Sequence, residues 1–556
     1  LGDARIWSGA FVLALGLVAT YKYARVLNAV YPVEQWLFWK LARLWGWTAV
    51  FSLACTSFGQ LLLVRVLRLR QLPLLESAVF SMALGTVSFV LALYVAGALG
   101  GFTTAFAVAL PCVLLALGAK NGVRLARDLI GHGQFVARTG PLTFLIGASG
   151  IVCVGVVYLA AMTPDSLNYD STWCHLTVAQ DYARAGRIVP FPADYTKNVP
   201  QLASLIHTWG WLLPGLDAPL RWMLVLHNEF ALFLWTLASV AAGIRRLVKD
   251  QGLRASWAAF FLFPIIFVYD NNLGGAADHI CAFFSVPILL ATLGVCGSFS
   301  PGYSVLLAVV AAGALLTKYQ AAYLIAPAAL VVAWTWILRM FELRRARESA
   351  AIERIPLRDL VRSPLIVAGL GAVLISPHFI RQTIFHHNPF YPFMQDVFTG
   401  STPTLPNAAF VFSQTITDPN WVPRGTGLEK LLRAGKLFMT FSVNPHYSFT
   451  RNVPAFGALF TLLLPALLVV RDRALLVAAG IASAAVLIWA LVYNVDRNLQ
   501  VFMPVLVCVT GALIVKTWRM SWLARLGLVP LLALQIVWGA DALFYSNHDR
   551  IQSAID

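Results

Sequence analysis

The stretch SLNYDSTWCHLTVAQDYARAGRIVPFP, residues 166–192, places Asp170, His175 and two arginines between two long apolar runs, 141–162 and 219–242. Crossing about 30 Å of hydrocarbon as helix takes about 20 apolar residues, and each flanking run supplies them. The polar stretch therefore reads as a connection outside a bilayer, in a chain that crosses and returns. Working outward repeats the pattern. Apolar runs fall near 7–27, 45–64, 76–98, 103–119, 141–162, 219–242, 255–270, 279–297, 304–317, 320–338, 365–380, 453–470, 474–493, 500–516 and 526–545. The expected fold is all-α, a polytopic membrane protein of about fifteen transmembrane helices. No small-residue cleavage site follows the run at 7–27, which reads as a span and not as a removable leader.

Composition agrees. The chain is 59% hydrophobic and 12% charged, against about a quarter charged in soluble domains. Its net charge of +16 invites a nucleic-acid reading, but the placement of the charge argues for topology. Arg65, Arg68 and Arg70 follow the second run, and Lys120, Arg124, Arg127 and Arg138 the fourth. Arg245, Arg246, Lys249 and Arg254, then the arginines from Arg339 to Arg362, Arg471 with Arg473, and Lys516, Arg519 and Arg525 continue the series. Basic clusters on alternate connections are the positive-inside pattern. Anionic lipid headgroups remain an alternative use for one cluster. The seven cysteines form no CxxC pair, so neither a disulfide framework nor a zinc site is expected.

With the basic connections in the cytoplasm, the N-terminus lies inside and the C-terminus outside. The outer face then receives 163–218, 269–278, 317–320, 377–452 and 493–500. These segments hold Asp165, Asp170, His175, Asp270, Asp278, Lys318, Arg381, His386, His387, Asp496 and Arg497. Ionisable residues gathered at a membrane face mark a functional site by default. Carboxylates come from the earlier loops and cations mostly from the later ones. That division suits a reaction in which a carboxylate takes a proton and cations hold a departing phosphate.

Each residue also has a plainer reading. Ser171–Ala185 reads as a short amphipathic helix at the membrane surface, with Trp173, Leu176, Ala179 and Ala183 on one face and Gly186 as its stop. Asp170 at its start serves as an N-cap or as a general base. Asp278 caps the next apolar run, orients a base, binds a sugar hydroxyl, or shares a divalent cation (Mg or Mn) with Asp170. Lys318 is a snorkelling interfacial lysine or a phosphate ligand. Arg381 opens RQTIFHHNPFYPF, where Pro389 and Pro392 exclude regular helix and His386, His387, Asn388 and Tyr391 offer donors. Arg497 is a surface ion-pair partner or a phosphate-recognising guanidinium.

Taken in order, these segments resemble the GT-C superfamily, polytopic glycosyltransferases that use polyprenyl-phosphate-linked sugars. The resemblance rests on Asp170, on YARAGRIVP from Tyr182 to Pro190, and on KNVPQL from Lys197 to Leu202. Asp278 at the head of a span, LTKYQ around Lys318, IRQTIFHHNPFYPF and DRNLQVFMP extend it. It covers roughly residues 141–400 and more weakly the late spans. Cys174-His175 stands where bacterial relatives carry Tyr-His, and KNVPQL replaces a KPPL-like turn.

The resemblance implies an inverting displacement with Asp170 as base, Asp165 as the alternate base, and Lys318, Arg381 and Arg497 on the phosphate. His175, Lys197, Asp278, Tyr319, His387, Asn388 and Tyr391 complete the implied substrate and phosphate contacts. The implied partners are a polyprenyl-phosphate-sugar donor, membrane lipids, an acceptor glycan, lipid or protein, and subunits of a membrane complex, with no nucleic acid. The location implied is the bacterial cytoplasmic membrane, with the site outside. Residues 1–140 form a four-helix extension, 141–400 the catalytic module, 401–452 an outer loop and 453–556 the closing helices. A lipid or solute transporter and a catalytically silent scaffold are the alternatives.

Overall fold

In the computed structural model the described residues are 2–132, 140–192, 194–255, 257, 273–345, 355–400, 418, 421–443 and 459–555. Among them every regular element is a helix. The chain divides into two compact units, residues 1–50 and 51–556.

The first unit holds α1 (Gly2–Val30), a 3-10 turn at Val33–Gln35 and the start of α2 (Leu37–Leu61). Asn28 Oδ1 accepts the Val33 N–H (2.7 Å), and Trp36 Nε1 donates to the Tyr31 carbonyl (3.1 Å), which fixes the turn. Phe11, Leu13, Leu15, Leu17 and Val18 stand exposed around α1, the pattern of a helix whose solvent is apolar.

The second unit is a helical bundle. It contains α3 (Leu74–Ala98), α4 (Thr104–His132), α5 (Pro141–Ala161), α6 (Leu176–Ala185), α7 (Leu202–Leu212), α8 (Ala218–Val248) and α9 (Asp278–Ser298). Further along are α10 (Pro301–Thr317), α11 (Ala322–Arg345), α12 (Leu357–His386), α13 (Gly427–Thr440) and α14 (Leu459–Leu462). The last three are α15 (Arg473–Val492), α16 (Met503–Met520) and α17 (Trp522–Ile555). Local chemistry sets the boundaries. Asp217 caps α8 by accepting the Leu220 N–H at 2.9 Å, and Pro301 opens α10 where its missing N–H costs nothing.

Among the described residues, ten helices are long and apolar enough to cross a membrane. Four shorter apolar helices, Thr143–Leu159, Pro301–Thr317, Leu459–Leu468 and Trp522–Trp538, fall on further expected spans. The span expected at 255–270 lies outside the described residues apart from Ala255 and Trp257. The chain is thus an integral membrane protein, helical throughout its regular elements among the described residues.

The buried centre is built by α3, α8, α9 and α16. Trp209 of α7 locks into it, with its ring 5.7 Å from Phe51 and 5.5 Å from Phe89 and its indole N–H on the Ala107 carbonyl at 2.8 Å. Basic clusters collect at one end of the bundle with carboxylate partners. Lys249 and Lys516 reach Asp472 at 2.9 and 3.6 Å, Arg519 reaches Asp250 at 2.7 Å, and Arg246 approaches Glu76 at 4.0 Å. Described residues of the segments assigned by charge alternation to the other face meet at the opposite end, Asp170 with Arg497, Asp278 with Lys318 and Arg381 with Asn198.

Candidate functional site

The 163–202 segment forms one side of that end. Pro164–Ser166 is a 3-10 turn, Ser171–His175 a single π-helical turn, and α6 follows to Gly186, whose φ of +68° closes the helix. Asp170 does not cap. Asn168 does the equivalent work, its Oδ1 accepting from the Ser171 N–H (2.9 Å), with Ser171 Oγ 2.7 Å away. The wide turn shifts the buried face from the expected one to Cys174, His175, Leu176, Val178, Ala179 and Tyr182. Trp173, expected on that face, is instead exposed, stacked on Tyr169 at 5.7 Å and donating to Thr196 Oγ1 at 3.0 Å. An extra residue in a turn rotates everything before it relative to a regular α period. The backbone of 186–188 ties to the α3–α4 turn, with Phe102 N–H on the Gly186 carbonyl (3.0 Å) and Ile188 N–H on the Gly97 carbonyl (2.9 Å).

Opposite lies the Gly274–Gly275 turn that leads into α9. Its backbone is gripped from three elements. Asn168 N–H donates to the Gly274 carbonyl at 3.1 Å, and the Ser171 hydroxyl donates to the same oxygen. The Gly275 N–H donates to Glu229 Oε2 of α8 at 2.7 Å, and His207 Nε2 of α7 meets the Gly275 carbonyl at 3.0 Å. Gly275 has φ +80°, and a Cβ on Gly274 would lie 2.7 Å from the Asn168 side chain. Only glycine admits both the left-handed backbone and the close approach.

These bonds tie the residues on either side of Asp170 to the chain that enters α9 at Asp278. Asp170 pairs with Arg497, which stands in the 3-10 turn Asp496–Val501, and Asp278 pairs with Lys318 at the end of α10. The Asp278 side chain is 2% exposed and the Lys318 side chain 16%. The two pairs form one electrostatic group. Burial works against the Arg497 charge, yet Asp170 and then Asp278 outweigh it and raise its pKa above the ordinary value. Burial pushes His175 the other way, down to about 4, despite the opposing pull of Asp170 and Asp278. His175 is therefore neutral near pH 7 and bonded through Nδ1 to Ser204 Oγ (3.0 Å), a packed neighbour of the pairs and not a cation for phosphate. Burial, with Asp170 and Asp194 beside it, likewise pushes the Cys174 thiol up, which leaves it un-ionised and a poor nucleophile.

A second polar nest adjoins the first. Arg381 near the end of α12 is buried, with Nη2 on Asn198 Oδ1 (3.1 Å) and Nη1 on Gln382 Oε1 (3.2 Å). Its Nε has no acceptor, and none of its contacts among the described residues is a carboxylate. Asn198 Oδ1 also meets His386 Nε2 at 3.0 Å, and the His386 ring stacks on Tyr391 at 4.1 Å. Gln382 Nε2 donates to the Asn198 and Tyr391 carbonyls. Cys174, whose Sγ–H donates to the Thr196 carbonyl at 3.0 Å, lies within electrostatic reach of both Asp170 and Arg381.

The remaining expected residues have local partners. Asp165 is exposed and, among the described residues, is bonded to Thr163 nearby at 3.3 Å. Lys197 lies over the Phe191 ring at 5.5 Å. Tyr319 donates to or accepts from His378 Nε2 at 2.6 Å, beside α12. His387 is the exposed left-handed cap of α12, while its neighbour His386 faces the nest. Asn388 closes the turn after α12, accepting from the Phe390 N–H (2.9 Å) and donating to the Phe393 carbonyl (2.8 Å). Sequence reasoning missed Asn198, Gln382, Glu229 and His207. Glu229 and His207 had a signal, since each is ionisable inside an apolar helix.

A divalent cation between Asp170 and Asp278 does not fit this donor set. Each carboxylate is already neutralised by its own cation, and among the described residues no group of three or more His, Cys, Asp or Glu could hold a metal. No known family, curated protein or solved structure matches the chain. The fold and the site together define an integral membrane helical bundle with a charged, partly buried site at one end.

Proposed function

We propose that the protein is a membrane glycosyltransferase that moves a sugar, with inversion, from a polyprenyl-phosphate donor to an acceptor hydroxyl on the extracytoplasmic side. The supporting observation is the pairing of Asp170 with Arg497 and of Asp278 with Lys318 from segments far apart in sequence, together with a second nest in which Arg381 is buried against Asn198. A buried guanidinium without a carboxylate partner is costly unless an anion completes it, and among the described residues Arg381 has no such partner. A planar fork with a spare Nε–H suits a phosphate oxygen.

In the proposed reaction the acceptor oxygen attacks the anomeric carbon. The C–O bond to phosphate breaks, and its electrons leave with the phosphate. The acceptor proton passes to Asp170. Arg381 stabilises the charge growing on the departing phosphate, and Lys318 and Arg497 assist. A phosphate beside Arg497 competes with Asp170 for the guanidinium, so arrival of the donor releases the base. Asp278 and Lys318 keep the local charge balanced.

Asp170→Asn in the full-length protein, assayed for sugar transfer from polyprenyl-phosphate donors, tests this reading. The expected loss is about 10²–10⁴-fold, the usual contribution of a positioned base. Undiminished transfer would refute the base assignment. The same ion pairs also favour a second reading, a silent scaffold in which Asp170–Arg497 is a structural lock. Wild-type protein that transfers nothing from any such donor, yet loses stability in Asp170→Asn, would select it.

A further inference from the structure

We propose that α13 is an interfacial helix that seats this end of the protein on anionic phospholipid headgroups. The inference does not depend on the sugar-transfer reading. With 14 residues, α13 extends about 21 Å, too short to span about 30 Å of hydrocarbon. Its start is fixed by a capping box, in which the Thr426 N–H donates to Glu429 Oε2 (2.7 Å) and the Glu429 N–H to Thr426 Oγ1 (3.4 Å).

Three stripes run along it. Ala434 is buried and Leu437 half-buried on the side packed against α15. Leu428, Leu431, Leu432 and Met439 recur at helical spacing on a second stripe and are 60–67% exposed. Arg433 and Lys436, also exposed, border that apolar stripe. Glu429, the acid of that border, is engaged in the capping box. Exposed leucines edged by cations are what an anionic membrane surface complements, with apolar groups below the headgroups and cations among the phosphates. A second copy of the chain would set Arg433 and Lys436 against their like.

Position supports the same occupant. The Asn494 N–H donates to the Trp421 carbonyl at 2.8 Å, and the Trp421 and Tyr493 rings meet at 6.0 Å. The chain thus enters α13 from beside the segment that carries Arg497, at the site end and next to the outer turns of the spanning helices.

The test uses the full chain in lipid nanodiscs, with an environment-sensitive fluorophore on Leu432→Cys. Cys112 and Cys296, the two cysteines that are not buried, are replaced by Ser. The probes are brominated phosphatidylglycerol and brominated phosphatidylcholine, each at the same fraction of the bilayer. We expect both to quench, the anionic lipid severalfold more, since each basic residue near a charged surface contributes up to about fivefold. Arg433→Gln/Lys436→Gln should bring the two lipids to equal quenching without abolishing it. Absence of quenching by either lipid would overturn the proposal by placing α13 off the membrane. Equal quenching in the parent protein would overturn its anionic preference. Protection from both lipids together with fluorophore–fluorophore transfer between chains would assign the stripe to a second copy instead.

Discussion

Lys318→Met removes the cation from the most buried ion pair of the site and leaves the Asp278 carboxylate in place. The Asp278 side chain is 2% exposed, so water cannot take over the role of the ammonium. Removing one partner of a buried pair typically costs about 3–5 kcal/mol. Two features lower the cost here. Asp278 is the first residue of α9, where the helix dipole favours a negative charge by about 0.3–1 kcal/mol, and Arg497 lies within its electrostatic reach. The expected loss is therefore about 3 kcal/mol, the lower end of the range. Asp278→Asn/Lys318→Met removes both charges and should fall within about 1 kcal/mol of the parent, because the uncompensated carboxylate is gone. The coupling between the two positions should then be about 2 kcal/mol or more. Unfolding by sodium dodecyl sulfate in mixed micelles, read by fluorescence of buried tryptophans such as Trp209 and Trp489, measures each variant. A single variant that costs under about 1 kcal/mol, or a double variant as unstable as the single one, would refute the reasoning.

Three more outcomes follow from the same geometry. His175 falls from 6.5 to about 4 on folding, so the unfolded chain takes up its proton first on acidification. Stability present above about pH 6.5 should fall toward pH 4 by up to about 3 kcal/mol, and His175→Gln should flatten that slope. Gly275→Ala, at φ +80° and with its Cβ 3.1 Å from Val225, should cost about 1–3 kcal/mol; amide exchange across 168–175 should quicken, and unchanged exchange would count against the clamp. An isoprenoid phosphate at about 100 times its Kd should stabilise the protein by about 2.7 kcal/mol, and Arg381→Gln should abolish that shift; an equal shift in the variant would remove Arg381 from the phosphate site.

The helical membrane fold was legible because hydrocarbon thickness leaves so few options. A run of about 20 apolar residues has one way to satisfy its backbone there. Fourteen of the expected apolar runs coincide with helices, ten long enough to span and four shorter. Asp170, Asp278, Lys318 and Arg497 were legible for a related reason. Charges beside spans stand out, and the alternation of basic connections put them at the same face before any contact was known. Which charge meets which was not legible, since Asp170 and Arg497 lie far apart in sequence and a helix cap competed for Asp170.

What escaped the sequence has a common physical form. Asn198, Gln382 and the Gly274–Gly275 backbone act through amide and peptide groups, whose hydrogen bonds carry no periodicity and no charge signature. Trp173 leaves the face that a regular α period gives it because one π-turn at Ser171–His175 breaks that period. His386 and His387 are adjacent and chemically alike. A left-handed backbone at His387 alone decides that His386 stacks on Tyr391 while His387 faces outward. The charges at this end identify where chemistry could occur. The neutral amides and the glycine turn hydrogen-bond to the segments and side chains around those charges, so a substitution that leaves every charge in place, such as Gly275→Ala or Asn198→Leu, should still disturb the site.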